Sequence, residues 1–194
     1  MTKHVILITG TPCVGKTSVA HMLASNLDAL YVNLTEMAVT EKLVLGKDKK
    51  RNSIIIDETR MQRRIRQLIT NTEKDVIIDG HYAVNVVPKQ LVTHVFVLRR
   101  NPVELRKLME KCGFSDRKLC ENLASEILDV CLVDALNVHE KGKICELNVS
   151  SKSVKKIVNE ILDILHGKQK CRIGIVDWLG TLESQGLLDN YLKI

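Results

Sequence analysis

Gly10-Thr11-Pro12-Cys13-Val14-Gly15-Lys16-Thr17 fits G-x-x-x-x-G-K-[ST], the spacing of a loop that wraps phosphate. The residues on either side give it the right context. Before it, His4-Val5-Ile6-Leu7-Ile8-Thr9 is an apolar run of strand length, rich in branched side chains, as a buried parallel strand requires. After it, Val19, Ala20, Met22, Leu23 and Leu27 recur at helical spacing. Glycines let backbone N–H groups turn toward phosphate oxygens, and the helix that follows adds the positive end of its dipole. Lys16 can reach the β- and γ-phosphates, and the Thr17 hydroxyl can hold Mg²⁺. The stretch is a nucleotide phosphate site between a strand and a helix.

The rest of the composition is compatible with that reading. A chain of 194 residues, 45% hydrophobic and 27% charged, suits one α/β domain with a substantial core. No apolar stretch reaches membrane-spanning length, and the first strand begins at His4; the expectation is a soluble, cytoplasmic protein with no signal peptide and no membrane partner. The net charge of +6 suits phosphate ligands and leaves direct RNA contact open, but six aromatic residues are too few for a base-stacking platform. Cys13, Cys112, Cys120, Cys131, Cys145 and Cys171 form no C-x-x-C pair and no metal spacing. Most lie among apolar neighbours and read as free core thiols.

Along the chain, residues 30–34 read as a second strand, with Thr35 capping a short helix. Residues 46–52 read as a polar, basic surface loop. A helix from Asp57 to about Asn71 places Arg60, Arg63 and Arg64 on one face. Within the strand-like stretch 75–81, residues 76–78 form an apolar run ending in Asp79, where a phosphate-loop enzyme needs a carboxylate to position Mg²⁺ or its water. His81 falls on the same side of an extended chain as Asp79. Residues 93–99 read as a fourth strand with a basic end. Asn101-Pro102-Val103-Glu104 carries a helix start, and that helix stops at Gly113. One long helix is expected from Ser115 to about His139, a fifth strand over 143–148, and an amphipathic helix over 152–165. The apolar tail after Gly167 reads as short docked helices.

Strands alternating with helices behind a phosphate loop predict a three-layer α/β fold, with ligands at the carboxyl ends of a central five-stranded parallel sheet. Basic inserts after the second and fourth strands give the layout of a small nucleotide kinase. One insert can hold the acceptor while the other closes over the transferring group and excludes water.

The chain resembles the adenylate kinase isoenzyme-6 family of archaea and eukaryotic nuclei, the coilin-interacting nuclear ATPase group. The matching residues are residues 7–12 with Val14-Gly15-Lys16-Thr17, Tyr31-Val32-Asn33, Asp57-Glu58, the D-x-H element Asp79-Gly80-His81, residues 94–99, and Gly113-Phe114-Ser115 with Lys118, Asn122 and Glu126. The likeness covers roughly residues 4–166, and residues 168–194 look like an archaeal-type extension.

The resemblance implies one P-loop nucleoside monophosphate kinase domain over residues 1–194, with an acceptor-binding insert near 33–56 and a short lid near 111–121. It implies ATP and Mg²⁺ as cofactors, AMP as acceptor, an accompanying ATPase activity, and a part in small ribosomal subunit maturation through a small-subunit ribosomal protein or pre-ribosomal particle. It assigns Lys16, Asp79 and His81 to catalysis, and Gly10, Cys13, Gly15, Lys16, Thr17, Ser18, Lys111 and Lys152 to ATP. Asn33, Glu36, Asp57 and Arg60 are assigned to the monophosphate, and Thr17 and Asp79 to Mg²⁺, through water. Several positions depart from the family pattern: Cys13 stands in place of a glycine, Leu108 and Cys112 in place of the two lid arginines, Val39 where a basic residue is often found, and the loop after Gly46 is basic where some relatives are acidic.

Overall fold

The computed structural model describes residues 3–48 and 53–192. Strands β1 (Val5–Gly10), β2 (Leu30–Asn33), β5 (Val76–Asp79), β6 (His94–Arg99) and β7 (Ile144–Asn148) form one parallel sheet in the order β2-β5-β1-β6-β7. A separate antiparallel hairpin pairs β3 (Val44–Asp48) with β4 (Ser53–Ile56). The helices are α1 (Lys16–Leu27), α2 (Leu34–Thr40), α3 (Glu58–Thr70), α4 (Ala83–Val86), α5 (Pro102–Lys111), α6 (Asp116–Ile127), α7 (Val130–Val138), α8 (Val154–Leu165), α9 (Trp178–Ser184) and α10 (Leu188–Tyr191).

Alternation along the strands builds the three layers, because successive side chains point to opposite faces. Val5, Leu7, Val76, Ile78, Val95 and Val97 pack with residues of α2, α3, α4 and α7. Ile6, Ile8, Ile77, Phe96 and Leu98 pack with residues of α1, α5, α6 and α8. A sheet covered on both faces needs apolar strands, and burying each such side chain contributes about 1.5–3 kcal/mol.

Several local expectations give way to tertiary contacts. Asn33, not Thr35, caps α2: its side-chain oxygen accepts from the Glu36 N–H at 2.9 Å, since the strand runs into the helix with no residue between them. The basic stretch is partly strand, with Gly46 to Asp48 in β3; residues 49–52 lie outside the described residues. The third strand of the sheet ends at Asp79, and Gly80 turns the chain into α4, so His81 is not an extension of that strand. A side chain at Gly80 would meet Leu34 Cδ1 at 2.9 Å.

The long helix from Ser115 is two helices. Asp129 adopts φ 58°, and the Arg99 guanidinium donates hydrogen bonds to the Glu126 carbonyl (2.8 Å) and to Asp129 Oδ1, satisfying groups at the break. Cys145 and Cys171 are joined as a disulfide that ties the tail to β7, while Cys13, Cys112, Cys120 and Cys131 are free thiols. The tail docks as expected, with Trp178 and Leu182 buried.

Arg99 lies buried at the end of β6, donating to Glu126 Oε1 at 3.0 Å and to Glu146 Oε1 at 2.6 Å. Arg99→Met would leave both buried carboxylates without a countercharge. The expected loss is about 3–5 kcal/mol, read as a lower denaturant midpoint; a loss below about 1 kcal/mol would show that the cluster contributes little.

Candidate active site

β1 is the middle strand, so its loop emerges between the carboxyl ends of β5 and β6. Gly10 has φ 138°, and a Cβ there would lie 2.5 Å from the Leu98 carbonyl oxygen; only glycine fits. Gly15 (φ 112°) precedes α1, whose first turn carries Lys16, Thr17 and Ser18. Lys16 Nζ donates to the carbonyls of Gly10 and Thr11, at 2.9 Å each. Burial holds the Lys16 ammonium below its ordinary pKa, and the Asp79 carboxylate opposes that shift.

Asp79 is a buried hub. Its Oδ2 accepts from the Thr17 hydroxyl at 2.7 Å, from Asn33 Nδ2 at 3.0 Å and from the Tyr31 hydroxyl at 3.3 Å. Thr17 and Asp79 are hard oxygen donors placed together at the mouth of the phosphate loop, which is the donor set that Mg²⁺ takes. Asn33 uses both ends of its amide, one to cap α2 and the other to hold Asp79.

A cavity of about 490 Å³ opens over the loop, lined by Thr11, Lys16, Thr17, Asn33, Asp79 and His81 from the sheet side and by Phe114, Lys118, Asn122, Ser125 and Asp134 from α6, α7 and the turn before them. A second cavity of about 500 Å³ lies against the hairpin, lined by Ala38, Ile54, Ile55, Ile56, Glu58, Tyr82 and Val86. The two share Thr35, His81 and Lys118. The cleft walls, then the ammonium groups of Lys16 and Lys118, lower His81 to about 4, so its imidazole is neutral near pH 7.

The other residues singled out from the sequence are placed as follows. Asp57 caps α3, accepting from the Arg60 N–H at 3.0 Å, and Arg60 Nη1 donates to the Lys42 carbonyl at 3.3 Å. Glu36 lies in a groove with His21, Tyr31 and Arg64, on neither cavity. Lys152 pairs with Glu160 at 2.8 Å, and Lys111 is exposed and lines neither cavity. Arg99, at the basic end of the 93–99 strand, is buried in its ion cluster and does not line the cavity.

Cys13 has φ 62°, a left-handed conformation that costs a residue with a side chain about 1–2 kcal/mol. Desolvation and then the neighbouring Cys112 push its thiol up to about 11. Lys118 and Asn122 enter the sequence reading only through the family resemblance and Ser125 not at all, although the three fall at i, i+4 and i+7 on one helical face.

A family model described as "AAA domain" matches residues 6–129. A protein of Methanocaldococcus jannaschii named "Putative adenylate kinase" is 36% identical over 173 residues, covering 89% of this chain and 92% of the relative. One of Saccharolobus islandicus with the same name is 32% identical and covers 98% of this chain and 95% of its own length, so the match takes in the tail. The chain belongs to the adenylate kinase isoenzyme-6 family, in its archaeal branch. Among solved structures, shikimate kinase from Acinetobacter baumannii superposes with a TM-score of 0.61 at 14% identity, over 87% of this chain and 96% of that one. At that identity the likeness shows the three-layer α/β fold alone. No helix among the described residues is long and apolar enough to cross a membrane.

Two measurements check the site. A pH titration followed by the His81 ring protons should have its midpoint near 4; a midpoint near 6.5 would mean the cleft does not perturb it. With the folded value below the unfolded one, the unfolded chain binds the proton more readily, so the His81 contribution to stability is lost as pH falls from about 6.5 through 4. Cys13→Gly should raise stability by about 1 kcal/mol in thermal unfolding through relief of the left-handed backbone. A loss of stability would show that the thiol's packing outweighs the strain.

Proposed function

We propose that the chain is an ATP-dependent nucleoside monophosphate kinase of adenylate kinase type, turning ATP and AMP into two ADP, with slower ATP hydrolysis as a side reaction. The observation that carries this reading is the pair of cavities of similar volume meeting at Thr35, His81 and Lys118. One holds the phosphate loop, and the other is walled by the 33–56 insert. A hydrolase needs room for one nucleotide and a water. Two adjoining cavities suit a donor and an acceptor held end to end, which converts a bimolecular encounter into a positioned transfer.

In this scheme the loop's N–H groups and Lys16 hold the donor phosphates, and Lys16 offsets charge on the transferring group. Mg²⁺ carried with ATP neutralises phosphate charge, and Thr17 with Asp79 would hold it or its water. The acceptor is already an anion, so no strong base is required. A neutral His81 can accept a hydrogen bond and orient the acceptor or a water.

A second reading has one specific observation in its favour. The lid lacks arginine at Leu108 and Cys112, so ATP hydrolysis could be the main reaction and transfer vestigial. A role in ribosomal subunit assembly, and contact with a small-subunit ribosomal protein or RNA, rests on family resemblance alone. Purified protein incubated with Mg²⁺·ATP and a panel of monophosphates separates the two readings. Diphosphate formation from one acceptor, fast relative to phosphate release without it, is the expected result; phosphate release unaffected by every acceptor would overturn the kinase assignment. Lys16→Ala should lower either activity by about a hundredfold or more, as loss of one preorganised charge contact does. Asp79→Asn should lower transfer and hydrolysis together.

A further inference from the structure

We propose that Lys118 is the cation that clamps the phosphoryl group in transit, doing from α6 what arginines at 108 and 112 would do. The inference deepens the kinase reading above and rests on it.

The argument is by position and then by elimination. Lys118 lines the cavity over the phosphate loop and also the cavity against the acceptor insert. The transferring group must sit where those two spaces meet. The other cations of the fourth-strand insert are engaged or remote. Arg99 is buried among Glu126, Asp129 and Glu146. Arg100 donates to the Val14 carbonyl at 3.2 Å and pairs with Glu104 at 3.0 Å. Arg106 pairs with Glu110 at 3.0 Å and lies over the Tyr191 ring, 5.3 Å from its centre. Arg117 pairs with Glu121 at 2.7 Å. Lys107 and Lys111 line neither cavity.

Lys118 makes no ion pair among the described residues, and its ammonium rests 5.2 Å from the centre of the Phe114 ring, another wall of the first cavity. It also occupies the first turn of α6, where the helix dipole opposes a positive side chain. Helix stability therefore does not account for a lysine at that position, whereas an anion beside it would be attracted by the ammonium and the helix end together.

The step it serves is balanced without proton exchange. The bond from the γ-phosphorus to its bridging oxygen breaks, with the electron pair staying on the departing ADP. An oxygen of the acceptor monophosphate forms the new bond to phosphorus. Lys118 remains an ammonium throughout and contacts the equatorial oxygens, where charge accumulates. A lysine is a point charge on a flexible stem and lacks the arginine fork, so one Lys118 offers less directional holding than two arginines.

The test compares Lys118→Ala, Lys118→Gln and Lys118→Arg with the parent, using Mg²⁺·ATP and the best monophosphate acceptor. The readouts are kcat, ATP affinity from titration of a fluorescent ATP analogue, and affinity for diadenosine pentaphosphate, which spans both subsites. Lys118→Ala and Lys118→Gln should lower kcat by about a hundredfold, weaken diadenosine pentaphosphate binding, and change ATP affinity by less than about threefold, because the contact forms mainly in the reacting complex. Lys118→Arg should recover at least about a tenth of kcat. An active parent with Lys118→Ala within about threefold of it overturns the role of Lys118 alone, as does ATP affinity falling in step with kcat. A parent that phosphorylates no monophosphate removes the kinase reading and this proposal with it.

Discussion

A single buried guanidinium joins the end of α6, the start of α7 and β7 in one ion cluster. Arg99 reaches Glu126 at the end of α6, Asp129 at the break before α7, and Glu146 on β7. Burial alone would lower its pKa, but the carboxylates of Glu126 and Asp129 raise it above the ordinary value, so it stays charged. Taking such charges out of water is costly, and the cost is offset only when the remaining lone pairs find donors. Here they do: Glu126 also accepts from the Arg100 N–H, the Trp178 indole N–H and the Thr11 hydroxyl, and Glu146 accepts from the Ile175 N–H at 2.8 Å. The tail is thus tied by hydrogen bonds to the same cluster that touches the phosphate loop.

That cluster is one of two polar anchors for the loop, and the strand order puts them on opposite sides. β5 and β6 flank β1, with Ile8 in register with Asp79 and Gly10 in register with Leu98. The residue ending β5 is Asp79, which receives Thr17 at the far end of the loop. The residue ending β6 is Arg99, which holds the Glu126 that receives Thr11 near its start. A glycine-rich loop has little packing of its own to hold its shape. Hydrogen bonds at both ends fix the direction of its N–H groups before any phosphate arrives, which is what preorganisation requires.

The layers and the phosphate side of the site were legible because their signals are local. An eight-residue motif, an apolar run ending in Asp79, and period-2 and period-3.6 patterns can each be read within a few residues. The Arg99 cluster could not be read that way: its partners lie 27, 30 and 47 residues away. The break between α6 and α7 is tied to it: apolar periodicity continues across Leu128, but Asp129 turns left-handed where Arg99 holds the Glu126 carbonyl and the Asp129 carboxylate. Cys145 and Cys171 are 26 residues apart, and their apolar neighbours look the same for a bonded pair as for free thiols. The α6 wall was half legible. The spacing of Lys118, Asn122 and Ser125 marks one face, but which face looks into the cavity depends on how α6 packs against α5 and α7.

The departures at Cys13 and Cys112 bear differently on binding and on transfer. A thiol with its pKa near 11 carries no charge at neutral pH, so Cys13 adds no repulsion toward phosphate. Its effect on the loop is confined to backbone strain and bulk, and the N–H that faces a ligand is still there. The loss at Cys112 is of another kind, because an arginine fork removed from a lid takes away charge needed when the γ-phosphoryl group leaves ADP. In the proposed kinase reading, phosphate binding draws on the loop, Lys16 and the α1 N-terminus, whereas transfer draws on cations above the loop. With Arg99, Arg100, Arg106 and Arg117 all committed to carboxylates, Lys118 is the cation between residues 99 and 118 that lines the cavity over the loop.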